Sequence, residues 1–404
     1  MYSLALLAFF CSPIISILVC MIFMMFSKKS YLYCILIAIT LSIVAFFFTP
    51  PPSYDLYRIF EKIEWFKNIN ILEFLKIYSS NLEIGFNFVL LLIVKNLNKH
   101  FVPMIFSLIG YLIMFYIICD YSKIKKLSSS KTAFIIIVFL LSYQYMYLIS
   151  GIRNFIAIIF FVLLLYIEKI KKKENIITHI LYIIPLLFHN SMFVFILFRL
   201  LIEFKDKISE KIVAFVSAIT LFAPFLILKI LELFNNNSVV FNIYTKFNGY
   251  INNNSNFYQF LIVTGMILQL FMYAYTFFYI KKVGLTNTKF HQYTKYMIIL
   301  AISLIPYPVL FDRVLVLLSC LTVVTLIDYI DSISSINKYN KFFCYLMILI
   351  IAMFLFRNQI HNYFYDIKSA INIVANNNLY NLLKLMGVIK WSAWLFQHIS
   401  VAKI

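Results

Sequence analysis

Apolar runs long enough to cross a bilayer recur along most of this chain, separated by short stretches that carry lysine. A helix needs about 20 consecutive apolar residues to span hydrocarbon, and inside hydrocarbon every backbone N–H and C=O must be satisfied within the protein. Only helices and closed barrels meet that condition. The runs here are continuous and do not alternate, which excludes a barrel. The expected fold is therefore all-α, a polytopic integral membrane protein. Composition agrees, with 63% of the 404 residues hydrophobic, 13% charged and a mean hydropathy of +0.91; a soluble domain is about half apolar.

The net charge of +19 does not point to nucleic acid. The lysines sit in short loops between apolar runs, where they orient the chain against the anionic inner leaflet. The cluster Glu168, Lys169, Lys171, Lys172 and Lys173 marks one cytoplasmic loop, and Lys28–Lys29, Lys123–Lys131, Lys205–Lys211 and Lys281–Lys282 mark others. Counting from these loops predicts about 12 transmembrane helices, with both termini outside. A short re-entrant or interfacial helix is expected at 84–97, because about 14 residues fall short of a span. The chain reads as one transmembrane domain over 1–356, with an external amphipathic segment at 49–83, an external loop at 235–259 and an external tail at 357–404. The first run, Leu4–Phe26, lacks a basic n-region and reads as an uncleaved helix. After the Pro50–Pro52 stop, Leu56, Ile59, Phe60, Ile63 and Phe66 recur at helical spacing, as in a helix lying in the membrane interface. The six cysteines lie in or beside apolar runs without paired spacing and read as small apolar residues.

Chemistry gathers at the outer ends of the runs. Arg153 stands between two of them and cannot lose its charge. In hydrocarbon it would cost between roughly 2.5 and 17 kcal/mol, so it must reach the surface, a wet cavity or an anion. Asp55, Tyr57, Arg58, Glu83, Asn154, His189, Asn190, Asp312 and Arg313 map to the same side. Arg153 and Arg313 have the fork of donors that suits phosphate oxygens; snorkelling or an ion pair with Glu83 or Asp312 is the plainer role. His189 can act as acid or base, or simply end a helix. Asp55 or Glu83 can take a proton from a sugar hydroxyl, or in the case of Asp55 cap a helix. The chain has no P-loop, Gly-rich fingerprint, HExxH or Asp-x-Asp run, so neither a nucleotide donor nor a metal or cofactor is expected.

Asp55-Leu-Tyr57, Asn81-Leu-Glu-Ile-Gly85, Gly151-Ile-Arg-Asn154, Phe188-His-Asn-Ser191 and Phe311-Asp-Arg313 together resemble the EpsG-like branch of the Wzy-type polysaccharide polymerases, over about residues 30–330. Arg-Asn stands at Arg153–Asn154 where that family usually has Arg-Gln. The resemblance implies an enzyme of the bacterial cytoplasmic membrane that joins oligosaccharide repeat units carried on undecaprenyl diphosphate at the outer face. Membrane lipid surrounds it, and a chain-length regulator and a flippase are the implied partners. Arg153 and Arg313 would stabilise the diphosphate, with Asn154, Asn190, Tyr57 and Arg58 around the glycan, and His189 with Asp55 or Glu83 would serve the acceptor hydroxyl. The competing readings are a GT-C-type lipid-linked-sugar glycosyltransferase or O-antigen ligase, a flippase or transporter of lipid-linked sugars, and a membrane acyltransferase. A transporter calls for helices broken at the midplane, and Pro185 and Pro224 are the mid-run breakers of note.

Overall fold

The structure is a computed structural model that describes residues 1–27, 30–52, 54–78, 83–143, 145–203, 211–219, 229, 257–284, 288–333 and 338–388. The described residues are helical with no strand, as a polytopic membrane chain requires. Four helices among them are long and apolar enough to cross a membrane: Ser30–Phe47, Phe101–Ile124, Pro308–Ser332 and Tyr339–Arg357. The expected 212–234 run in large part, residues 235–256 of the expected 235–259 loop, and Trp391 and Trp394 near the C-terminal end lie outside the described residues, and 257–259 are helical rather than loop.

The chain forms two compact units. The first comprises 1–137, 145–156 and 360–404. Its opening run is two helices, α1 (Tyr2–Cys11) and α2 (Pro13–Phe26), not the single span expected over Leu4–Phe26. Pro13 has no N–H to give the preceding turn, and Ser12 turns extended between them (φ −156°). Helix α3 (Ser30–Phe47) packs on α2 and on α7 (Phe101–Ile124). Polar side chains join α2 to α3: the Ser16 and Thr40 hydroxyls both donate to the Pro13 carbonyl, at 2.5 and 3.3 Å. Such small polar contacts hold helices together where lipid offers no hydrophobic drive.

The segment after the prolines folds as α4 (Asp55–Phe66) and α5 (Ile71–Tyr78), followed by α6 (Ile84–Asn96). The predicted stripe of α4, Leu56, Ile59, Phe60, Ile63 and Phe66, is buried, with no member more than 7% exposed. It packs on protein, against α6 and the short α9 (Tyr145–Ser150), so the expectation that this stripe lies in the membrane interface is corrected. The outward apolar residues belong instead to α5, whose Ile71, Leu72, Leu75 and Ile77 are exposed. Helix α6 has 13 residues and is about 20 Å long at 1.5 Å per residue, short of the roughly 30 Å hydrocarbon core.

The second unit comprises 138–144 and 157–359. The run expected over Thr132–Ile149 is divided into α8 (Ser129–Ser142) and α9, and α10 (Ile152–Lys169) follows. The run at 176–188 is divided at Tyr182 into α11 (Ile176–Leu181) and α12 (Ile183–Phe188), then α13 (Met192–Leu201). Helices α14 (Phe257–Lys282) and α15 (Lys289–Ser303) pack on α16 (Pro308–Ser332), whose apolar stretch is almost wholly buried. Phe311-Asp-Arg313 was expected to form a turn, but it lies inside α16. The chain reverses earlier, at 304–307, because Pro308 opens the helix. The last apolar span, Tyr339–Arg357, agrees with the expected end near Phe356, but its helix continues beyond it. Helix α17 runs from Lys338 to Ala375 without a Gly or Pro to stop it, and α18 (Leu379–Leu385) follows an Asn378 cap.

A buried ionic cluster ties α10, α12 and α13 together. The Glu168 carboxylate, fully enclosed, accepts from Tyr182 Oη at 2.7 Å, from Arg199 Nε at 3.1 Å and from Arg199 Nη2. Lys169 adds bonds to Glu174 (3.0 Å) and Glu203 (2.5 Å), and Lys289 also pairs with Glu203. Removing one partner of a buried pair strands the other charge and costs about 3–5 kcal/mol. Arg199→Ala is therefore expected to lower the melting temperature of detergent-purified protein sharply, and Glu168→Gln/Arg199→Met to recover much of the loss. An Arg199→Ala protein that melts like the parent would show that the cluster carries no stability.

Candidate functional site

Asp55 and Glu83 enter one site because each stands where a helix begins. Asp55 is the first residue of α4, next to the proline stop, and Glu83 is the residue before α6. A carboxylate at a helix start is favoured by the positive end of the dipole. Arg153, the second residue of α10, reaches both of them. Its Nη1 donates to Glu83 Oε2 at 2.8 Å. Its Nη2 donates to Asp55 Oδ1 at 2.9 Å and Oδ2 at 3.1 Å, and its Nε lies 3.3 Å from Oδ2. Planarity lets one guanidinium serve two carboxylates at once, which an ammonium does not do with the same geometry. The side chains remain partly open, at 31% exposure for Arg153, 28% for Asp55 and 16% for Glu83.

A second layer extends from this centre. Asn87, one turn into α6 and 1% exposed, donates to the Glu83 carbonyl at 3.0 Å and accepts from Lys62 Nζ at 2.8 Å. Lys62 also lies over the Tyr78 ring (4.8 Å) and the Phe66 ring (5.5 Å). Burial lowers its proton affinity, as does the nearby Arg153 charge, while Glu83 and Asp55 act in the opposite sense. On the other flank the Tyr54 hydroxyl donates to Asp366 of α17, and the Tyr54 ring stacks near Phe48. Sequence reasoning did not select Lys62, Asn87, Tyr54 or Asp366. A signal was present for two of them: Lys62 lies seven residues after Asp55, on the same edge of a helix, and Asn87 is a polar residue one turn after Glu83 in an apolar run.

The other expected residues divide between the two units. Tyr57 and Asn154 are half-buried in the first unit, and Arg58 is exposed on α4. His189, Asn190 and Arg313 belong to the second. His189 Nδ1 accepts the Ser191 backbone N–H at 3.1 Å and lies 2.7 Å from Ser191 Oγ. Ser191 is the N-cap residue of α13, so these contacts set the imidazole beside the start of that helix. Asn190 is exposed beside it, and Arg313 is half-buried on α16. The plainer role of Arg153, an ion pair with Glu83, is present, and Asp55 joins it.

A carboxylate pair clamped by one guanidinium can keep both acids ionised and hold one ready to take a proton. No curated protein and no solved structure matches the chain. The family model for EpsG matches residues 30–371, a stretch that holds Asp55, Glu83, Arg153, His189 and Arg313, and this chain belongs to the EpsG family.

Proposed function

We propose that this protein joins lipid-diphosphate-linked oligosaccharide repeat units at the outer face of the bacterial cytoplasmic membrane. Family membership supports a polysaccharide polymerase-like role. The observation that carries the finer reading is the clamp of Arg153 on Asp55 and Glu83. In the proposed step an acceptor sugar hydroxyl gives its proton to a carboxylate while its oxygen bonds to the anomeric carbon of the growing chain. The bond from that carbon to the diphosphate breaks, and the diphosphate leaves with the electron pair on its lipid. Asp55 commits both oxygens to Arg153, so the reading gives proton removal to Glu83. Arg153 keeps the pair in register. Undecaprenyl diphosphate is the carrier implied by the family.

The test is the surface polysaccharide of a strain lacking the protein. Loss should leave single repeat units on the lipid carrier and no ladder of longer chains, and the gene supplied in trans should restore the ladder. Lipid-linked units retained on the cytoplasmic side would overturn the reading in favour of transport. A polymer of normal length lacking one sugar would overturn it in favour of a decorating transferase.

A further inference from the structure

We infer that Lys62, together with its neighbour Arg58 on α4, binds the diphosphate of the lipid-linked substrate, while Arg153 serves as a positioning residue for the two carboxylates. The inference rests on the polymerase reading for its substrate and on the structure for its residues. Arg153 directs Nε, Nη1 and Nη2 at Asp55 and Glu83. A phosphate reaching it would compete with both carboxylates for the same guanidinium. Lys62 is differently placed. Its ammonium has three donors, one held by the Asn87 amide oxygen at 2.8 Å and the remainder turned toward the faces of Phe66 and Tyr78. A ring face is a weak partner beside a phosphate oxygen.

Position supports the assignment. At 100° per residue, Asp55, Arg58 and Lys62 fall on one edge of α4, between its buried stripe and its wet side. An interfacial lysine ordinarily extends into water. Lys62 instead folds against α6, held by an asparagine whose own N–H is bonded to the Glu83 carbonyl. The ammonium is thereby indexed to the turn that carries the proposed base. The groups that face it are Asp55 on its own helix, Tyr78 on α5, Glu83 before α6 and Arg153 on α10. Arg153, Asp55 and Glu83 alone sum to one negative charge, which repels a diphosphate. With Lys62 and Arg58 the sum is one positive charge, and once a carboxylate takes the acceptor proton it is two. The site then gains positive charge as the diphosphate departs, the differential stabilisation that accelerates a step.

The test uses the full chain in nanodiscs and measures binding of three probes: undecaprenyl diphosphate without sugar, undecaprenol, and inorganic diphosphate. Lys62→Met keeps the packing against the rings and removes the charge; Lys62→Arg keeps the charge. Lys62→Met is expected to weaken undecaprenyl diphosphate binding at least about tenfold, with undecaprenol binding within about twofold of the parent and Lys62→Arg recovering most of the loss. Weakened inorganic diphosphate binding in the same variant would extend the site to free diphosphate, and unchanged binding would restrict it to the lipid-linked form; either accords with the inference. Unchanged lipid diphosphate affinity in Lys62→Met, or equal loss for the diphosphate and the alcohol, would overturn it and leave Lys62 as a packing residue. Because these probes carry no sugar, failure of polymerisation in cells and failure of this assignment are read separately.

Discussion

Arg153→Ala is expected to cut polymer formation at least about a hundredfold while the protein remains in the membrane at parental abundance. The guanidinium holds Asp55 and Glu83 at 2.8–3.3 Å. Without it two like charges face each other and neither carboxylate is held in place. A displacement of about 1 Å in a reacting group costs on the order of 10²-fold. Arg153→Lys should fall between, since a single ammonium cannot reproduce bonds directed to two acids. The measurement is the polysaccharide ladder, with membrane abundance and melting temperature recorded for each variant. A normal ladder from Arg153→Ala would remove the clamp from the mechanism. A lost ladder with lost protein would assign Arg153 to folding, and then Arg153→Lys, which keeps a cation between the acids, decides the matter by its turnover per folded molecule.

Glu83→Gln should have a larger effect than Asp55→Asn. The amide keeps the shape of Glu83 and cannot accept a proton, and loss of a general base costs about 10²–10⁴-fold. Asp55 places both oxygens on Arg153, so Asp55→Asn loosens the clamp and is expected to cost about tenfold. Turnover on lipid-linked repeat units in proteoliposomes, with KM and kcat separated, checks this order: Glu83→Gln should lower kcat with little change in KM. If Asp55→Asn proves the more damaging, the base assignment passes to Asp55 and the clamp is read the other way round.

The stripe of α4 was legible because five apolar residues at a 3.6-residue period specify which face is buried. What covers that face was not, since lipid and protein make the same demand on a leucine; only the packing of α4 on α6 and α9 distinguishes them. Helix ends were misread where charge was taken as a stop. Asp312–Arg313 and Arg357 lie inside helices, because a charged side chain does not interrupt backbone hydrogen bonding. Pro13 and Pro308 do bound helices, at positions where hydropathy scarcely changes.

The sequence by itself determined the all-helical membrane class and the family, and it named the three residues that the structure brings together. Hydropathy and helical period are sums over neighbours, and an arginine between apolar runs demands an anion wherever the chain leads. Only the tertiary structure decided which anions those are. Arg153 meets Glu83 across 70 residues and Asp55 across 98, and it placed Lys62 and Asn87 beside them. No local rule links positions so far apart in the chain. The link arises when α4, α6 and α10 pack, and the partners of a charge are set by that packing, not by its neighbours in sequence.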